Sequence, residues 1–492
     1  TSPPAATPER QAQVAAALSA RLPPHAILTA REDLRPYECD GLSAYRQTPL
    51  VAALPGTVAE AAEVLRVARE TGTPVVARGS GTGLSGGALP LADGILLSLG
   101  KFNRILAIDP LARTLRAQPG VRNAQITEAA APLGFYYAPD PSSQIACSIG
   151  GNVAENSGGV HCLKYGLTVH NIQKVRALTI EGDDVEIGSD ALDAPGYDLL
   201  ALAHGSEGLL ALITEVTVKL LPKPQTAQVV MASFMDVEAA GEAVAAVIGA
   251  GIVPAGLEMM DKLATAAAED FVHAGYDLEA EAILLCESDG TPEEVAEEIA
   301  KITAVMREAG CTAFAVSASE AERLRFWSGR KAAFPAVGRI SPDYYCIDGS
   351  IPRGALSRVL RRIAELSSHY GLRCANVFHA GDGNLHPLIL YDANVPGEFE
   401  KTEEFAGDIL DLSIEVGGTI TGEHGVGVEK IKQMCTQFRP AELAQFHAVK
   451  AAFDPQGLLN PGKAVPTLNR CADYGAMRVH RGQLPHPDLP RF

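Results

Sequence analysis

PVVARGSGTGLSGGALPLADG (74–94) is the stretch that decides the fold. Residues 74–78 read as a buried strand, and glycines at 79, 81, 83, 86 and 87 follow at once. Gly81-x-Gly83-x-x-Gly86 has the spacing of a nicotinamide dinucleotide fingerprint. That fingerprint requires its glycines to open a helix whose N-terminus meets the phosphate. Here Pro90 and an Asp93–Gly94 turn follow instead, and GILLSL (94–99) reads as another strand. A helix has no room, so the Rossmann reading is poor. What remains is a loop of small residues whose backbone N–H groups can converge on an anion.

A second loop of the same character, CSIGGNVAENSGG, covers 147–159. Together the two could hold the ends of a pyrophosphate-containing cofactor, although each alone reads equally well as a tight turn. Between and around them lie a helix at TVAEAAEVLRVARETG (57–72), a strand at ILAID (105–109) and a helix over 122–133. In the first helix Thr57 and Glu60 have capping-box spacing, and Val58, Ala61, Ala62, Leu65 and Ala68 form an apolar stripe. HGSEGLLALITEVTVKLLPKP (204–224) reads as a short helical turn running into a long apolar strand, closed by prolines 222 and 224. The first domain is therefore expected over 1–224. The second, 225–400, alternates strands (227–234, 252–259, 281–286, 312–317) with helices (236–249, 291–309, 319–334), most simply a sheet with helices on one face. A helical segment, 401–466, and a polar tail, 467–492, complete the chain.

Composition narrows the function. The 492 residues carry a net charge of −18, with 47% hydrophobic and 20% charged residues. That is an ordinary globular balance, and it argues against a protein that binds a phosphate backbone. The nine cysteines are widely spaced with no C-x-x-C, which excludes a ferredoxin-type cluster and fits a reduced cytosolic setting. Neither a signal peptide nor a membrane span is expected from the sequence.

The chemistry concentrates late in the chain. CANVFHAGDGNLHPLILYD (374–392) sets His379 and His386 on either side of a Gly-Asp-Gly-Asn turn, so a hairpin would bring the imidazoles together. GGTITGEHGVG (417–427) adds Glu423 and His424 between glycines. Two histidines and a carboxylate make a reasonable open site for zinc, manganese or iron, leaving His424 as a general base. Asp382 reads as a turn former. SEAERLRFWSGRKAAF (319–334) is a helix in which Arg330 could grip a carboxylate, while Arg325 and Lys331 read as a solvated face. Tyr344 or Tyr345 could reach the same pocket or pack the core.

RGSGTGLSGG, PDPSSQIACSIGGNVAENSGG, HGSEGLLALITEVTVKLLP, FHAGDGNLHPLILYD, TGEHGVGVEK and FDPQGLLNPGK, in this order, resemble the FAD-linked 2-hydroxy-acid dehydrogenases of the vanillyl-alcohol oxidase superfamily. The resemblance spans residues 35–465. YECDGLSAYRQTP (37–49) and WSGRKAAFPAVGRISPDYYCIDGSIPR (327–353) narrow it to the FAD-linked subunits of bacterial glycolate oxidase complexes. It implies an α+β fold: a two-subdomain FAD-binding domain, a ferredoxin-like antiparallel-sheet cap that carries the substrate site, and a helical C-terminal segment closing that site. Arg78, Gly79, Ser80, Gly81, Thr82, Gly83, Leu84, Gly86 and Gly87 would hold the FAD pyrophosphate. Pro139, Asp140, Ser142, Gly150, Gly151, Asn152, Glu207, Gly208, Ile213 and Asn460 would line the cofactor further along. The first loop contains no histidine, so the flavin would be bound non-covalently.

From the D-2-hydroxyglutarate branch, the resemblance carries metal ligation onto His379, His386 and Glu423, the base onto His424, and substrate contacts onto Arg330 and Asn384. A hydroxyl-bearing position of that branch is Phe334 here, which favours a short acid, glycolate or D-lactate, over a dicarboxylate. A second flavin-type subunit and an iron–sulfur subunit are the implied partners, on the inner face of the cell membrane. A non-catalytic FAD electron-transfer subunit and a metal-dependent hydrolase are the competing readings.

Overall fold

The computed structural model describes residues 6–191 and 196–466; the expected tail lies outside them. The chain divides into two compact units. One takes the chain up to Ser157, resumes over Leu167–Pro222 and returns from His424 onward; the other comprises Gly158–Gly166 and Lys223–Glu423. The expected cut at 224 thus falls beside the boundary after Pro222. The expected segment 401–466 is shared between both units, and helix Glu398–Glu415 runs straight across residue 400.

The first unit has two subdomains. One is a four-stranded sheet ordered Ile27–Leu28, Val51–Ala53, Ile95–Ser98, Val75–Arg78, parallel except for its first pair. Helix Val58–Thr71 packs on it through Ala61, Val64, Leu65, Val67 and Ala68. Thr57 caps this helix by accepting from Glu60 N, and Gly72 ends it at φ 62°. The Glu60 carboxylate reaches Gly56 N at 2.6 Å, one residue beyond the expected capping-box partner. The other subdomain is a five-stranded antiparallel sheet, Ile105–Asp109, Thr114–Ala117, Leu212–Lys219, Ile172–Leu178, Asp184–Gly188.

The second unit is built on a seven-stranded antiparallel sheet ordered Ala313–Val316, Thr226–Phe234, Ala282–Gly290, Gly256–Asp261, Cys374–Phe378, Pro387–Tyr391, Asp343–Cys346. The expected strands and helices hold here within a few residues, except that Gly256–Asp261 starts late, after Pro254; helices Lys262–Val272 and Leu356–Tyr370 and strand Asp343–Cys346 were not foreseen. Helices on one face is corrected to helices on both. Residues 282–289 are all buried, so both faces of that strand are covered. Neighbouring residues point opposite ways: Glu287 bonds Trp327 on helix Glu320–Val337, and Ser288 bonds Glu298 on helix Pro292–Glu308. Among the described residues no helix is long and apolar enough to cross a membrane.

Candidate active site

Strand Gly256–Asp261 carries Glu258 in an apolar run, 1% exposed. A carboxylate this deep needs cationic partners. Its Oε1 accepts from His379 Nδ1 at 2.8 Å, and its Oε2 lies 2.7 Å from Arg330 Nη2. Among the described residues Arg330 is the largest fully buried side chain, whereas Arg325 and Lys331 on the same helix are exposed, as expected. The Oε2–Nη2 contact is an ion pair without hydrogen-bond alignment, and neither Arg330 Nε nor Nη2 has a hydrogen-bond partner among the described residues.

The expected hairpin forms. Asn376 pairs with Pro387, His379 N donates to Asn384 O at 3.0 Å, and the two imidazole centroids stand 5.0 Å apart. Glu423 Oε1 lies 3.3 Å from both His379 Nε2 and His386 Nε2. Tetrahedral ligands about 2.1 Å from a zinc ion stand roughly 3.4 Å from one another; the two spacings to Glu423 suit that figure, and all three atoms lie within 4.8 Å of one another. The other Glu423 oxygen accepts from Gly158 N at 2.9 Å. Gly158 opens the 158–166 excursion, which is fastened to strand Ala282–Gly290 by His161 on Glu287 (3.1 Å) and by Lys164 and Tyr165 on Asp289 (2.6 and 2.7 Å).

Asp348, fully buried, supports the same hairpin. It accepts from Asn384 Nδ2 and Thr421 Oγ1, each at 2.7 Å, and from Gly422 N and Glu423 N at 3.1 Å. Asn384 keeps a buried Oδ1 without a hydrogen-bond partner among the described residues. Gly422 is required by this closeness, because a Cβ there would stand 2.0 Å from Asn384 Nδ2. Phe334 flanks the site, its ring 6.3 Å from His386 and 6.1 Å from Tyr344; Tyr345 packs instead on Phe399.

Burial alone would push the His379 imidazole toward neutrality, but Glu258 and Glu423 outweigh it and hold its pKa well above the ordinary value. Burial pushes the Asp382 carboxyl up to about 6; it accepts from Asn384 N and acts as a turn former, as expected.

In the first unit, none of the N–H groups of Ser80, Gly81, Thr82, Gly83 and Leu84 donates to another group among the described residues. Arg78 closes one side of the loop, donating to Cys39 O at 2.6 Å with its guanidinium over the Tyr37 ring. Gly86 sits at φ 77° with its missing Cβ 2.5 Å from Val428 Cγ2. The second Gly-rich stretch is a loop only in part, because Ser148 caps a helix over Ile149–Glu155. A Cβ on Gly79 would lie 2.3 Å from Ser148 Oγ, so the two stretches meet.

Gly150 backs onto Pro119, and Gly151 N donates to Ser148 Oγ at 3.4 Å. Asn152 bonds Asn123 (3.0 Å) and Ser157 (3.3 Å). The Pro139 carbonyl accepts from Asn123 Nδ2 at 3.1 Å, Asp140 is half-buried, and Ser142 is exposed. The Glu207 carboxylate accepts from Val426 N and Gly427 N at 2.7 and 2.8 Å. Gly208 follows Glu207 at positive φ, and Ile213 lies in strand Leu212–Lys219. Asn460 Nδ2 joins Gly87 O (2.9 Å) to Glu207 O (2.6 Å). His424 begins the final stretch of this unit, its carbonyl accepting from Ser85 Oγ at 2.9 Å.

The site residues that the sequence did not single out are Glu258 and Asp348. Their signal was a carboxylate set among apolar residues, Glu258 between Leu257 and Met259 in strand Gly256–Asp261 and Asp348 after Ile347, just past strand Asp343–Cys346.

Comparison with known proteins decides what these parts belong to. Residues 49–188 match the family described as FAD binding domain, and 223–464 match the C-terminal domain of FAD linked oxidases. The chain is 62% identical over 476 residues to a glycolate oxidase subunit of Escherichia coli, covering 97% of this chain and 95% of that one. The chain belongs to the FAD-linked oxidases. Within this family a D-lactate dehydrogenase of Anaerostipes hadrus is 31% identical over 450 residues, covering 89% of this oxidase and 94% of its own length. Crystalline p-cresol methylhydroxylase shares the fold at a TM-score of 0.79 and 17% identity, over 94% of this chain and 98% of its own. The fold is thus the expected α+β vanillyl-alcohol oxidase type, and FAD is the cofactor. This oxidase is an FAD-linked oxidoreductase, which removes the hydrolase reading.

Proposed function

We propose that this oxidase converts a short 2-hydroxy acid to the 2-oxo acid, glycolate first and D-lactate second, using non-covalent FAD and one divalent ion. One observation carries the reading: His379, His386 and Glu423 bring three ligand atoms within 4.8 Å of one another, in the unit that buries Arg330. When bound, FAD supplies the hydride acceptor and the ion a Lewis acid for the substrate hydroxyl. Two imidazoles and a carboxylate suit zinc first, then manganese or iron.

Arg330 takes the substrate carboxylate in a guanidinium fork, with its unpartnered Nε available. Fixing that carboxylate orients the α-C–H bond. Asn384, held through Nδ2 by Asp348, keeps Oδ1 for a substrate contact. His424, next to Glu423 in the chain, accepts the hydroxyl proton. Phe334, half-buried beside His386, makes the pocket narrower and more apolar than a dicarboxylate requires. In the other unit, the N–H groups of residues 80–84 bind the FAD pyrophosphate, an ordinary use of a small-residue loop.

The reduced cofactor passes its electrons to partners, a second flavin-type subunit and an iron–sulfur subunit, at the cytoplasmic face of the cell membrane. The support is the word subunit in the name of the Escherichia coli relative, together with cysteines too dispersed for a cluster.

An anaerobic visible spectrum of the purified chain, before and after adding glycolate and then D-lactate, tests the reading. Bleaching of the flavin band is expected in the wild type, and H424A should keep the band but lose the bleaching. A flavin band that neither acid bleaches would refute the substrate class.

A further inference from the structure

Glu258 takes no part in the chemistry set out above, yet it touches both halves of it. It lies on the face of the sheet that helix Glu320–Val337 covers, and each of its oxygens meets a different functional side chain: Oε1 the His379 Nδ1 at 2.8 Å, Oε2 the Arg330 Nη2 at 2.7 Å. A neutral imidazole has one N–H and one lone pair. With Nδ1–H held by Glu258, the lone pair stands on Nε2, the nitrogen 3.3 Å from Glu423 Oε1. The same carboxylate ion-pairs with one arm of the Arg330 guanidinium, whose Nε has no hydrogen-bond partner among the described residues and is left for a ligand.

We infer that Glu258 is a positioning residue that sets the metal-binding nitrogen of His379 and the carboxylate-gripping edge of Arg330 together, so that the two subsites are coupled through one side chain. The inference rests on the metal and substrate roles proposed above. A glutamine of the same shape cannot replace it, because its amide has a single acceptor oxygen and its NH2 group faces one of two donors. Mere charge compensation in the interior makes a different prediction: lower stability, with the folded fraction binding zinc and substrate normally.

The test uses the full-length FAD-loaded chain as wild type, E258Q, E258D and H386A. Zinc affinity is measured by chelator competition without substrate. The kcat and KM for the faster of glycolate and D-lactate are then measured at saturating zinc with a dye acceptor. E258Q is expected to bind zinc 10–100-fold more weakly, roughly the usual effect of losing a partner behind a histidine ligand. At saturating zinc its kcat should recover toward wild type while KM stays raised ~10-fold, because Arg330 has lost its anchor. E258D keeps the charge but is shorter, so it should fall between the two; it carries the same test if E258Q does not fold. Unchanged zinc affinity in a folded variant would overturn the inference, as would weaker zinc binding with a normal KM. Equal zinc affinity in wild type and H386A would instead overturn the metal reading, and this inference with it.

Discussion

Replacing Glu287 by Gln should loosen the second unit by an amount that pH can switch off. Glu287 is 2% exposed and accepts from Trp327 Nε1 at 2.5 Å, Arg323 Nη1 at 2.7 Å and His161 Nε2 at 3.1 Å. Burial by itself would push this carboxyl up, but the bonds and charge of His161, Arg323 and Trp327 outweigh it and bring it down to about 2. A fall from 4.5 to about 2 favours the charged form by about 3 kcal/mol, at about 1.4 kcal/mol per tenfold change. The folded state holds fewer protons than the unfolded state between those values. The stabilisation is therefore complete above pH 4.5 and disappears as pH falls toward 2.

Trp327 is the only tryptophan, so its fluorescence during urea unfolding reports on this cluster directly. At pH 7, E287Q should lose about 3 kcal/mol in the transition that Trp327 reports, as expected for a buried ion pair stripped of one partner. The wild-type advantage should shrink steadily between pH 4.5 and the lowest pH at which the protein stays folded. An advantage that persists unchanged on acidification would refute the electrostatic account and leave packing as the cause. Activity should fall as well, because His161 ties down the excursion whose Gly158 N–H meets Glu423.

G86A places a methyl group 2.5 Å from Val428 Cγ2 at a backbone angle of φ 77°, a conformation that costs an L-residue about 1–2 kcal/mol. FAD content per chain should drop, and V428A in the same chain should restore part of it. H386A should lose bound metal by elemental analysis and nearly all turnover while keeping its flavin absorbance, and added zinc should not rescue it. F334A opens the wall beside His386 and Tyr344, so kcat/KM for a 2-hydroxy acid longer by one or two carbons should rise roughly tenfold relative to glycolate.

The local features were legible where short-range physics governs them. Thr57, Glu60 and Gly72 mark the ends of helix Val58–Thr71, and alternating β and α patterns from 227 to 334 place every element of that stretch but helix Lys262–Val272. The histidine hairpin followed from Gly-Asp-Gly-Asn turn chemistry between two apolar runs. Helix Ile149–Glu155 was hidden because Gly150, Gly151 and Asn152 are poor helix formers; a Ser148 cap and close packing on Pro119 override that propensity. Helices on both faces of the sheet were hidden because periodicity shows that a strand is buried without showing what covers it.

The amino-acid sequence by itself determined the family, the small-residue loop proposed to take FAD and the candidate ligands, since each shows in short motifs whose chemistry is local. Tertiary structure alone decided which distant residues meet. Gly158 reaches Glu423 and Glu258 reaches both His379 and Arg330 across gaps of 265, 121 and 72 positions. No local rule specifies such partners. A buried charge must be paired, but only the packing of strand Gly256–Asp261 beneath helix Glu320–Val337 determines which cation pairs with it.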